Sequence, residues 1–191
     1  MILREFHGSE KKLSMQQQLL EKMKEQNCLV DAYLRNREGV LVSRDKDSVP
    51  YTAQIWFEGR ECDTRSENDI LKSIRTLAQI HKIMQLPVEM DYAGRNLQEE
   101  YIRHNQEMKK IRRFIRKKGA VNSFEKDYLK SVEWFLQKGE EAAAMLETTD
   151  YKNLRQQSLQ SGSICHGEYN QHNVLILGKN TAVTNFSHWS I

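Results

Sequence analysis

Apart from one helical stretch near the start, the apolar side chains up to residue 58 sit in short strand-like runs; beyond it they recur every three or four positions, and they alternate again only after residue 173. Such a change of period orders the element types, because alternate residues share one face of a strand and every third or fourth residue shares one face of a helix. "MILREF" reads as a first strand. Gly8 and Ser9 lead from it into "EKKLSMQQQLLEKMKEQN", with Ser9 as the helix cap and Leu13, Leu20 and Met23 on one face. "GVLVS" (39–43) and "YTAQIWF" (51–57) are rich in β-branched and aromatic residues, and the polar "RDKDSVP" between them predicts a hairpin. A small sheet with one helix is therefore expected over residues 1–58, and a helical lobe over 59–191.

In the second part, Ser66 opens a helix in which Ile70, Leu71, Ile74, Leu77, Ala78, His81 and Met84 form the apolar face, stopped by Pro87. His81 on that face is expected to be a packing residue rather than a ligand or base. A long helix runs from about Leu97 to Lys118 and ends at Gly119. The next opens with Asn122 and Glu125 in capping-box spacing and carries Phe124, Tyr128, Phe135, Ala142 and Met145 on one side. These two helices should pair antiparallel. A shorter helix covers Tyr151 to Leu159, and "QSGS" then feeds the polar run "ICHGEYNQHNVLI" (164–176). "NVLIL", the turn "GKN" and "TAVTNF" close the chain as a second hairpin.

Composition sets limits around this order. With 191 residues and two prolines the chain offers no linker that separates independent domains, so one compact unit is expected. The 29 basic and 26 acidic residues leave a formal charge of +3, and the mean hydropathy is −0.73, so bulk charge does not call for nucleic acid. No apolar run approaches the roughly 20 residues that cross a bilayer, and "MILREFHGSE" is not a secretory leader. No membrane partner is expected, and synthesis in the cytoplasm is. Cys28, Cys62 and Cys165 fit neither a disulfide framework nor a CxxC metal pattern, and reduced thiols are expected. Zinc held by Cys165, His166 and His172 is disfavoured, because adjacent ligands on a strand point opposite ways.

A small sheet with one helix, a connecting "WFEGRE", a helical bundle and a polar loop feeding a hairpin is the order of a two-lobed phosphotransferase. Within it, His166-Gly167-Glu168 followed by Asn173 resembles the HGDxxxxN loop of the aminoglycoside phosphotransferase and choline kinase group, and Val183-Thr184-Asn185-Phe186 stands where that group has an Ile-Asp-Phe metal site. "EGRECD", "LAQIH", "MKKIRRFIRKKG", "FEKDYLKSVEWFLQKGEEA" and "ICHGEYNQHNVLI" together resemble the spore coat kinase-like (CotS-related) family, over almost the whole chain. The resemblance implies an α+β, protein-kinase-like (aminoglycoside phosphotransferase-like) fold with a reduced N-terminal sheet lobe and a helical C-terminal lobe. It also implies a place in or around the spore coat. In such a loop an Asp positions the acceptor hydroxyl, the Asn five residues on holds a metal ion, and the second Asp bridges metal and phosphates.

Three positions depart from that pattern. Arg4 stands where the family's strand carries a phosphate-binding Lys, and a planar fork is not equivalent to a compact ammonium. Glu168 replaces the catalytic Asp, and its extra methylene displaces the carboxylate by roughly 1 Å, enough to cost on the order of a hundredfold. Asn185 replaces the second metal-binding Asp and removes a full charge where magnesium prefers carboxylate oxygen. No glycine-rich phosphate loop occurs, and the sequence reads as a member shortened at both ends relative to the family. The leading expectation is a catalytically degenerate kinase-fold protein with a structural or interaction role, and no cofactor. In the alternative, a weakly active phosphotransferase would use ATP and magnesium, with Glu168 and His166 in the catalytic loop, Asn173 and Asn185 on metal, and Arg4 on phosphate.

Between Lys109 and Lys118, Lys109, Lys110, Arg112, Arg113, Arg116 and Lys117 fall in an arc of roughly 160° opposite Ile111, Phe114 and Ile115. This face is read first as solvated and balanced by acids such as Glu99, Glu100, Glu125 and Asp127. Its functional reading is an anionic ligand or another spore coat protein. The apolar end "FSHWSI" and an uncovered sheet edge make a homodimer the assembly to test.

Overall fold

The structure is a computed structural model that describes residues 1–87 and 92–191. Its elements are β1 (Ile2–Glu5), α1 (Glu10–Glu25), β2 (Leu29–Val30), β3 (Tyr33–Leu34), β4 (Val42–Arg44), β5 (Pro50–Gln54), β6 (Arg60–Glu61), α2 (Glu67–Ile83), α3 (Leu97–Lys118), α4 (Ser123–Thr148), α5 (Tyr151–Ser161), β7 (Val174–Leu177) and β8 (Asn180–Val183). They group into two compact units: Met1–Tyr92 with Gln160–Ile191, and Ala93–Leu159. This grouping is drawn at different residues from the division expected at 58.

The first unit holds two four-stranded sheets. In one, β5 pairs antiparallel with β1, β3 and β4. The other has the order β2-β8-β7-β6, with β7 and β8 as a hairpin and β2 parallel to β8 in the register Leu29↔Ala182 and Val30↔Val183. The strand expected in "MILREF" is β1, those expected at 39–43 and 51–57 appear as the shorter β4 and β5, and the expected "NVLIL"/"TAVTNF" hairpin is β7 and β8; β2, β3 and β6, each two residues long, carry no periodic signal and were not expected.

Ser9 caps α1 through the Lys12 amide, and the helix buries Leu13, Leu20 and Met23 together with Leu19. Leu19, Leu20 and Met23 meet Val30, Ala32, Ile80, Met84, Ile164, Val183, Phe186 and Trp189 in one core. Each large aliphatic side chain removed from water there contributes on the order of 1.5–3 kcal/mol. Phe186 and Trp189 are fully buried, so the "FSHWSI" end presents neither aromatic ring to a partner, contrary to the sequence expectation.

The apolar face assigned to α2 also needs correction. Ile70, Leu71 and Ile74 are exposed, as is His81; Met84, at the C-cap, is buried as expected, and Ile80, which was not assigned to the face, is buried with it. Periodicity finds a stripe but cannot say which side of a wide apolar arc the neighbouring sheet will cover. Asp69, which is 1% exposed, anchors this helix: it accepts from both Arg60 guanidinium nitrogens and from the Asp63 amide. The Arg60 hydrogen bonds hold its carboxyl down at about 2. "EGRECD" therefore works as a clasp between β6 and the start of α2.

In the second unit α3 and α4 pack antiparallel, as expected. Lys118 meets Glu125 beside the turn, Arg112 meets Glu133 farther along, and Lys109 meets Glu140 farthest from it. Asn122 caps α4 by accepting from Glu125 N at 2.9 Å, while Glu125 reaches back to Val121 N at 2.8 Å. The side chains α4 buries are Val132, Leu136 and Ala143; Phe124, Phe135 and Met145, grouped on one side from sequence, are exposed.

Candidate functional site

Residues 164–176 fold as a loop wrapped around one buried imidazole. His166 is 2% exposed, lies 4.4 Å from the Phe186 ring and is edge-on to Tyr169. Its Nδ1 accepts from the Glu168 amide at 3.2 Å, so Nε2 carries the proton and donates to the Thr184 carbonyl at 3.0 Å. Burial pushes its pKa below the ordinary histidine value, keeping the ring neutral. With both nitrogens engaged inside the protein, His166 braces the loop against the β8 end.

Gly167 takes a positive φ of 84°, and a Cβ there would lie 2.1 Å from the His188 carbonyl oxygen, so only glycine fits the turn. That turn presents Glu168. Asn173, nearly buried, secures the other side: its Nδ2 donates to the Glu168 carbonyl at 2.8 Å, and its own carbonyl accepts from Thr184 N at 3.0 Å. The hairpin then delivers Asn185 in a left-handed conformation with φ 65°. Asparagine tolerates this region better than most residues.

The sequence-selected residues Glu168, Asn173 and Asn185 are thus brought together. Asn185 Nδ2 donates to Glu168 Oε2 at 3.1 Å, and Asn185 Oδ1 accepts from the Ser187 hydroxyl at 2.9 Å. The reverse amide orientation would set its carbonyl oxygen against the carboxylate, so charge fixes which way it faces. His188 lies 3.5 Å from the other Glu168 oxygen. Arg4 projects from β1 as an exposed residue and lines, with Asn173 and Asn185, a cleft of about 290 Å³.

One site residue was not found from sequence. Asp31 follows β2, is 5% exposed and lines the same cleft; its Oδ2 accepts from the Asn185 amide at 2.9 Å while Oδ1 is buried without a hydrogen-bond partner. Burial lifts its pKa to about 6, against the lowering effects of the Asn185 amide and the Arg4 charge. Parallel pairing of β2 with β8 is what places Asp31 at Asn185, and a two-residue strand gave no warning of it.

As arranged, this donor set does not fit a magnesium ion. Asn185 turns N–H toward the only carboxylate of the loop, its oxygen is occupied by Ser187, and a hard cation needs carboxylate or free carbonyl oxygen. The histidines do not converge on a zinc site either. His172 pairs with Glu61 at 2.7 Å, and the described residues contain no cluster of three or more ligands able to hold a metal.

On α3, half of the basic arc is answered by acids of α4. Lys109, Arg112 and Arg116 face Glu140 or Glu133, and Lys118 faces Glu125. Among the described residues Lys110, Arg113 and Lys117 have no such ion pair.

No family model and no curated protein matches the sequence. Six solved chains match the structure. An aminoglycoside phosphotransferase from Alicyclobacillus acidocaldarius superposes with a TM-score of 0.81 at 15% identity, and a spectinomycin phosphotransferase solved with ADP and spectinomycin superposes with a TM-score of 0.68 at 12% identity. In both cases 98% of this chain is covered, and it spans 56% of the length of the other protein. At that identity the similarity speaks for architecture alone. The protein has the α+β, protein-kinase-like fold of the aminoglycoside phosphotransferases.

Proposed function

We propose that this is a catalytically degenerate member of the kinase-like fold, with a structural or interaction role in or around the spore coat. The observation that carries the first half is the Asn185-to-Glu168 hydrogen bond. In a phosphotransferase both positions would turn oxygen outward, one toward an acceptor hydroxyl and one toward a metal ion. Here they satisfy each other. Removing phosphoryl-transfer chemistry from such a loop leaves its fold intact, because His166, Gly167 and Asn173 hold it without reference to a ligand. The spore coat assignment rests on the sequence resemblance across "EGRECD", "LAQIH" and the 164–176 loop.

The test mixes the protein with ATP and magnesium and follows thermal stability and phosphate release together. No turnover is expected. Steady release that disappears in Glu168→Gln would replace this reading with that of a working phosphotransferase.

A further inference from the structure

A second cavity of the first unit, of about 400 Å³, shares no lining residue with the cleft lined by Arg4, Asp31, Asn173 and Asn185. Lys72 and Arg75 come from α2, one helical turn apart on the same side, and Lys179 comes from the turn between β7 and β8. No aspartate or glutamate lines the cavity, and among the described residues none of these three cations makes an ion pair with a carboxylate. Elsewhere on this unit Arg44 is met by Glu10 and Arg35 by Glu21. Lys72 feels the Asp69 carboxylate, which Arg60 holds in direct contact, only at longer range, and cations gathered around one concavity set up a positive potential focused by its walls.

The cavity is built rather than accidental. Lys72 Nζ donates to the Gly178 carbonyl at 2.8 Å, tying the hairpin turn to α2. The register Leu177↔Asn180 leaves a two-residue turn in which Gly178 has φ 66° and Lys179 does not have positive φ, a type II′ arrangement. That turn puts Lys179 on the cavity rim. Thr76, Gln79 and Asn180 add neutral hydrogen-bonding groups, and the buried Ile80 and Val183 supply an apolar floor. A volume of this size lies within the range of about 300–1,000 Å³ usual for small-molecule sites.

We propose that this cavity binds a small organic phosphate, with Lys72, Arg75 and Lys179 on the phosphate oxygens and the organic body over Ile80 and Val183. Arg75 supplies the planar fork suited to two oxygens at once, and the lysines act as point charges. The site is independent of whether the Glu168 loop is active.

Inorganic pyrophosphate is the probe, titrated calorimetrically into the full chain at low and at moderate salt. Saturable 1:1 binding that weakens with salt is expected. Arg75→Gln with Lys179→Gln should weaken it by about a hundredfold, roughly tenfold for each positive charge removed. Both side chains are exposed, so an unchanged melting temperature is the check that the variant is folded. Arg113→Gln with Lys117→Gln, on α3, should leave affinity unchanged. Absence of heat at millimolar pyrophosphate, or equal affinity in the Arg75/Lys179 variant, would overturn the proposal. Loss of binding in the α3 variant instead would move the anion to that helix and overturn it too.

Discussion

The side-chain amide of Asn185 donates to the carboxylate of Glu168 across 3.1 Å, while its backbone amide donates to the carboxylate of Asp31 across 2.9 Å. One asparagine thus sits between two acids, neutral and hydrogen-bonded to both. An aspartate in the same place would keep the backbone bond and forfeit the other.

Asn185→Asp is therefore expected to destabilise the protein at neutral pH, by about 1–2 kcal/mol, since an attractive contact becomes repulsion between partly solvated carboxylates. Magnesium should recover part of the loss, because a pair of facing carboxylates is the ligand type it prefers. Chemical denaturation of wild type and variant, each with and without magnesium, checks both halves. A variant as stable as wild type without the ion would show that the amide contact carries no energy.

Asp31 gives a pH signature. Its pKa stands at about 6 in the folded protein against an ordinary 3.8, so between these values the folded state holds a proton that the unfolded state has lost. Stability contributed by this group consequently rises as pH falls from about 6 toward 3.8 and is absent above 6, a difference of roughly 3 kcal/mol at most. His166 acts in the opposite direction: its lowered pKa means the unfolded state protonates first, and stability falls with pH below 6.5. Asp31→Asn isolates the first effect, because it keeps an acceptor for the Asn185 amide and removes the charge. The variant should be more stable than wild type at about pH 8, with the advantage vanishing toward about pH 4. A constant difference across the range would refute the assignment.

Gly167→Ala should be among the most damaging small substitutions. The added methyl meets the His188 carbonyl oxygen at 2.1 Å and adopts a φ of 84°. Strain of this kind costs on the order of 1–3 kcal/mol before the clash is relieved. Gly39→Ala is the control, since it shares a positive φ of 81° but meets nothing within 4 Å. Thermal unfolding should rank wild type, Gly39→Ala and Gly167→Ala in falling order.

Polyanion binding by α3 should be weak and should depend on the residues without acid partners. Replacing Arg113 and Lys117 by Ser is expected to reduce heparin retention more than replacing Arg112 and Lys109, whose charges Glu133 and Glu140 already meet. Equal losses from the two pairs would mean that summed charge alone governs the contact.

The periods of the apolar residues, the caps at Ser9, Ser66 and Asn122, and the turn glycines were enough to place the long helices and the two hairpins, because those signals are local. The spacing of His166, Glu168, Asn173 and Asn185 likewise marked the loop, since its residues lie close in sequence. What the sequence could not supply was the outcome of long-range competition. Pairing of two-residue β2 with β8 brought Asp31 beside Asn185 across more than 150 positions, packing chose Ile80 over Ile70 and Ile74, and α2 met the β7–β8 turn through Lys72. Burial and charge pairing are properties of neighbours in space, and only the folded chain decides who those neighbours are.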